Sequence, residues 1–166
     1  MLLGTIVNYL HGALVPFRLA SYPNQERMPQ AAHPRPPHSM LVETAPILVE
    51  GRVALACYPA GETLDYIALG AELGAGVVPA DPNDLPSELA GAPPPIPPFG
   101  QLFGLPIVLD ERLRQCAVLV CQVFGDSDFL DIPYEDWARL EAPRVASFAI
   151  GGELPPGEPA SASAHP

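Results

Sequence analysis

The chain has 166 residues, 48% of them apolar, with a formal net charge of −11 and a sequence pI near 4.5. It is long enough for one domain with a real core and too apolar for general disorder. All eight basic residues are arginine and lysine is absent, so the clustered cations that unaided nucleic-acid binding requires are missing and no DNA partner is expected.

The 23 prolines limit long helices and stiffen the loops. Cys57, Cys116 and Cys121 are odd in number and lack metal-ligand spacing. They predict buried free thiols in a reducing compartment rather than a disulfide or a zinc site. The apolar start, residues 1–7, has no positive flank, and no run approaches the ~20 apolar residues of a membrane span. The expectation is a soluble cytoplasmic protein without a membrane partner.

Apolar residues at positions 2, 3, 6, 7 and 10 follow helical spacing and predict a first helix stopped at Gly12. Residues 14–19 read as a short β-like run. Residues 21–37 read as a proline-rich loop with one helical turn at 25–32. Residues 40–49 and 52–58 predict two strands around a tight Glu50-Gly51 turn, and Pro46 assigns the first of them to an edge or a bulge. Residues 63–73 predict an amphipathic helix with Leu64, Ile67, Ala68 and Ala71 on one face and Gly74 as its cap. A short strand at 77–78 and a short helix within 82–89, capped by Asp84 or Ser87, follow.

Residues 96–110 dominate the second half. Pro97 and Pro98 fix φ and remove two backbone donors. Gly100 and Gly104 release the chain, and residues 105–109 form a buried strand ended by Asp110. Such a loop either presents backbone amides to a ligand or serves as a stiff connection. If Phe99 and Gly100 line a ligand pocket, Gly100→Val should impair function more than folding. Residues 111–115 read as a polar turn, 117–124 as an apolar strand ended by Gly125, 133–140 as a short helix with Pro133 in its first turn, and 145–150 as a last strand. Residues 1–150 form the expected domain and 151–166 a disordered tail. Strands and helices mix without strict alternation, which predicts an α+β domain on a mixed or antiparallel sheet.

Asp126, Asp128 and Asp131 lack the glycine and the closing glutamate of a calcium loop and read as a solvated acidic loop. His33 and His38 do not have zinc-helix spacing. No metal or cofactor is expected. No GxSxG, GxGxxG or P-loop pattern occurs, and Cys121 has no identified histidine partner.

The segment Ile96-Pro97-Pro98-Phe99-Gly100, then Leu105-Pro106-Ile107-Val108 with Asp110 and Leu113, followed by Tyr134, Asp136, Trp137, Pro143-Arg144-Val145 and Phe148, resembles the YbaK/EbsC family of aminoacyl-tRNA deacylases and prolyl-tRNA synthetase editing domains. Residues 53–60 with Leu64-Asp65 and Leu69 resemble a strand of that family and the turn and helix after it; the N-terminal third fits more loosely. The resemblance implies a compact α+β domain on a partly barrel-like sheet. It implies a trans-editing deacylase that hydrolyses the ester of a mischarged aminoacyl-tRNA by positioning water and carbonyl at the glycine-proline loop. Ile96, Pro97, Pro98 and Phe99 would bind substrate and Gly100 would be catalytic. The family's pocket lysine falls at Glu43 or Thr44, with Thr44 preferred as the inward, catalytic position and Glu43 as a substrate-binding alternative. The glycine that opens the family's loop falls at Pro94. The alternatives to a deacylase are a catalytically silent module that binds an amino-acid-like ligand or a protein partner, and a structural domain. Aminoacyl-tRNA would be bound weakly in isolation or be delivered by a synthetase or another partner.

Overall fold

The turn at Glu50 (φ 49°) and Gly51 (φ 80°) has two successive left-handed residues, the arrangement that matches the twist of a two-residue hairpin. It joins β2 (Ser39–Val49) to β3 (Arg52–Pro59), paired in register from Val49↔Arg52 to Val42↔Pro59. The computed structural model describes residues 2–21, 36–90, 96–124 and 128–151. The helical turn expected at 25–32, His33, Pro94, Gly125, Asp126 and the tail from 152 onward lie outside those residues.

Among the described residues, the strands order as β1 (Arg18–Ser21), β8 (Asp128–Pro133), β7 (Val118–Phe124), β2, β3, β6 (Ile107–Asp110) and β9 (Arg144–Ala146). The β1–β8, β8–β7 and β2–β3 pairs are antiparallel, and the β7–β2, β3–β6 and β6–β9 pairs are parallel. With the four helices α1 (Leu2–Gly12), α2 (Tyr66–Leu73), α3 (Ser87–Ala90) and α4 (Tyr134–Glu141), this is a single α+β domain on a mixed sheet. β3 lies in its interior, between β2 and β6, and is buried from Ala54 to Pro59. Leu55 and Cys57 join the larger core with Ile6 and Leu10 of α1, Phe99, Leu109, Leu119 and Trp137. Ala54, Ala56 and Tyr58 point to the second core with Ile47, Leu69, Val108 and Phe148, as the period of two requires.

The first helix, the hairpin, the 77–78 strand (β5, Val77–Pro79) and the 133–140 helix lie where the periodicity puts them. Several elements differ. The helix expected over 63–73 starts only at Tyr66, because the Asp65 carboxylate caps it by accepting from the Ala68 amide at 3.0 Å. Thr63–Leu64 instead forms β4, paired with β10 (Ala149–Ile150). Leu69 is the buried residue of α2, and Ile67 is 86% exposed. Gly74 caps it at φ 66°, as expected. The 82–89 segment divides into a 3₁₀ turn, Pro82–Asp84, capped by Asp81, and α3. The acidic loop is a strand: Asp128 begins β8, and Asp131 is buried and ion-paired with Arg18 at 2.7 Å. A run reading Asp-Phe-Leu-Asp-Ile-Pro hides its strand character because the aspartates interrupt the apolar pattern. The last strand breaks into β9 and β10. The buried Asp110 carboxylate causes the break by accepting from the Phe148 amide at 3.0 Å and the Ala149 amide at 2.7 Å.

Pro46 is not on an edge strand. In this hairpin Val49, Ile47, Ala45 and Glu43 exchange hydrogen bonds with β3, and Leu48, Pro46, Thr44 and Val42 turn their backbone groups to the opposite edge. On that edge β2 forks. Its first four residues, Ser39 to Val42, pair with β7, and its last three, Ile47 to Val49, pair with β5. Pro46 sits at the fork, where an N–H is not needed, and its carbonyl accepts from Ala80 at 3.1 Å.

Candidate active site

The loop over residues 96–104 is held from behind by α4. Trp137, fully buried, donates its Nε1–H to the Pro98 carbonyl at 2.8 Å. Glu141, also fully buried, accepts from the Gln101 amide at 2.9 Å through Oε1 and from the Tyr9 hydroxyl at 3.0 Å through Oε2. The Gly100 amide also favours the charged form of this carboxylate. The Phe99 amide closes onto the Pro97 carbonyl at 2.9 Å. Gly100–Phe103 forms a 3₁₀ turn that Gly104 ends at φ 72°. The amides of Phe99 and Gln101 are therefore committed inward, and the loop does not offer them to a ligand.

Burial pushes the Glu141 carboxyl above its usual range, opposed by the hydrogen bonds from Gln101, Tyr9 and Gly100. Between about pH 4.5 and that raised value the folded chain holds a proton that the unfolded chain has released. The resulting stability is complete at low pH and is lost as pH rises through the window. Glu141→Gln keeps the shape and removes the titration. Denaturant midpoints at pH 5 and pH 7.5 should therefore fall less with rising pH in the variant than in the native chain.

On the outer side, an open cleft of about 480 Å³ lies at the fork of β2. Its described walls are Leu41, Val42, Glu43, Thr44 and Pro46 of β2, Ala60 just after β3, Ile96 and Pro98 of the loop, and Gln122 of β7. The expected site residues thus divide. Glu43, Thr44, Ile96 and Pro98 meet at one cleft. Pro97, Phe99 and Gly100 do not line it: all three are buried, and Phe99 packs edge-on against Tyr9 with ring centroids 6.4 Å apart. Thr44 shares its face with Val42 and with Cys57, whose Sγ lies 3.8 Å from Thr44 Oγ1. Burial raises the Cys57 thiol to about 12, so it stays protonated and is no nucleophile near neutral pH. Glu43 is exposed and faces Tyr58, whose hydroxyl is pushed up to about 12 by burial and then by the Glu43 charge. No cation lines the cleft among the described residues, and no cluster of three metal-ligating side chains occurs among them.

No family model and no curated protein matches this sequence. Solved structures do. A candidate trans-editing enzyme for prolyl-tRNA synthetase superposes with a TM-score of 0.68 at 18% identity, covering 89% of this chain and 96% of that one. A candidate signal transduction protein from Marinobacter aquaeolei VT8 gives a TM-score of 0.69 at 18% identity over 89% of this chain, which spans only 30% of the Marinobacter protein. A hypothetical protein gives 0.66 at 16% identity, covering 88% and 99%.

The chain has the fold of these proteins.

Within that fold, sequence reasoning missed the two anchors of the loop. Trp137 was matched only as part of a helix, and Glu141 was not singled out at all. One signal was present: Glu141 ends α4, where the helix dipole disfavours a carboxylate. An acid there needs donors from elsewhere, and the loop supplies them. No described helix is long and apolar enough to cross a membrane.

Proposed function

We propose that this chain is a trans-editing deacylase that hydrolyses the ester of a mischarged aminoacyl-tRNA in the cleft at the fork of β2. The observation that carries the reading is the meeting of Glu43 and Thr44 with Ile96 and Pro98 on one cleft, within a fold shared with a candidate trans-editing enzyme. Water attacks the ester carbonyl carbon, the bond to the ribose oxygen breaks, and the products are the free amino acid and the tRNA hydroxyl. Aminoacyl esters are labile, so fixing water and carbonyl together supplies much of the rate. In this reading the Thr44 hydroxyl holds the water. The Glu43 carboxylate repels phosphate and attracts an α-ammonium group.

Arg18, Arg112 and Arg139 are each ion-paired with carboxylates. In this reading tRNA binds weakly and with strong salt dependence, or arrives with a synthetase or another partner. The inward commitment of the loop amides favours a second reading, a silent module that retains the cleft for an amino-acid-like ligand. A panel of mischarged tRNAs separates the two: release of free amino acid above the buffer rate supports hydrolysis, and a flat panel supports the silent module. Thr44→Lys restores a cation on a half-exposed position whose stem can run out along the cleft. It should fold and raise deacylation of at least one substrate about tenfold, ~1.4 kcal/mol of barrier. A folded Thr44→Lys variant with no gain would count against the cation as the missing element.

A further inference from the structure

Along the forked edge of β2, every position but one is accounted for among the described residues. Val42 ends the parallel ladder to β7, in register with Cys121. Pro46 has no N–H, and its carbonyl accepts from Ala80 at 3.1 Å. Leu48 pairs with Val78 of β5. Thr44 lies between. Its register opposite Cys57 turns its N–H and C=O away from β3, and neither β7 nor β5 reaches it among the described residues. Among the described residues the gap is one residue wide, opens on the cleft, and offers one donor and one acceptor.

In an antiparallel ladder, the two residues of a hydrogen-bonded pair exchange both bonds: each N–H meets the other's C=O. A single amino acid therefore has the spacing to complete this gap. We propose that the Thr44 main-chain edge, rather than the glycine-proline loop, receives the aminoacyl group: its N–H binds the ester carbonyl and its C=O accepts from the α-ammonium. This rests on the editing reading and deepens it. The ligand takes the place of one missing strand residue. Its side chain then stands beside that of Thr44, on the face walled by Val42, Ile96 and Pro98. That wall fits small apolar side chains. The carbonyl oxygen that becomes negative during attack sits on a fixed amide. An N-acylated amino acid keeps its carbonyl but loses the ammonium, so it binds less well.

The chain itself indicates a clean test. Two residues on, the same edge already carries a proline, so Thr44→Pro removes an N–H that β3 does not use. Thr44→Ala is its partner, because both variants lack the hydroxyl and only one lacks the amide. With both folded by circular dichroism, Thr44→Pro should fall about 100-fold below Thr44→Ala in kcat/KM on the best mischarged tRNA. Equal rates in the two would overturn the proposal and leave the editing reading standing. A second measurement does not depend on turnover or on the proline variant folding. In ¹⁵N-labelled native protein titrated with alanine joined through an amide to 3′-amino-3′-deoxyadenosine, the Thr44 amide should move downfield to saturation, and the N-acetylated analogue should bind at least tenfold more weakly. A Thr44 amide that stays in place, whether or not the analogue binds elsewhere, overturns the proposal. A shifted amide in a protein that hydrolyses nothing in the panel supports it and instead overturns the editing reading.

Discussion

Trp137→Ala is expected to cost roughly 3–5 kcal/mol of stability, the range for truncating a large buried aromatic. Trp137 is fully buried in the larger core and is the only tryptophan. Its removal leaves a cavity between α4 and the loop and strips the Pro98 carbonyl of its donor. Trp137→Phe separates the two effects. It keeps most of the packing and leaves the carbonyl unpaired, at a cost of about 1–3 kcal/mol. Urea or guanidinium midpoints followed by circular dichroism measure both. Because Pro98 is a wall of the cleft, the Phe variant should also weaken ligand binding by more than its stability loss predicts. A Trp137→Ala midpoint within about 1 kcal/mol of the native value would mean that α4 does not hold the loop.

Gly100→Val is expected to abolish the native fold, or to destabilise it by about 3 kcal/mol or more, the upper end of overpacking penalties. A Cβ at Gly100 would stand 2.3 Å from the Leu105 carbonyl oxygen and 3.0 Å from Ile107 Cγ1. The first of these is backbone and cannot swing aside, because the Leu105 amide is itself bonded to the Gly100 carbonyl at 2.8 Å. This reverses the expectation that the substitution would damage function more than folding. The glycine is needed for the close return of the loop on itself, not for access of a ligand. Even Gly100→Ala should shift the midpoint in the same direction, and any activity should fall in step with the folded fraction. A native midpoint in Gly100→Val would show that the turn can open without loss of the core.

These two residues also show how far the sequence could be read. The apolar spacing of α1, the hairpin at Glu50-Gly51 and the αL cap at Gly74 are local: each depends on side-chain periodicity or on a backbone angle that few residues adopt. The stiffness of Pro97-Pro98, the absence of lysine and four of the residues that meet at the cleft, Glu43, Thr44, Ile96 and Pro98, were likewise legible. The direction in which the loop amides point was not. It is set by Glu141 and Trp137, contributed from a helix some forty residues later, and by Tyr9 from α1. The β8 strand was concealed because Asp131 inside the sheet is paired with Arg18 of β1, a partner that local sequence does not show.

By itself, the sequence determined where the chain can turn, which faces must be buried and that no lysine can stand in the cleft, since those follow from residue type and local spacing. Only the tertiary structure decided that β2 forks and that Thr44 is left at the gap. Whether a backbone N–H or C=O is satisfied depends on which distant strand lies alongside it. That register is fixed by packing both cores at once, not by any property of the residue that bears the group.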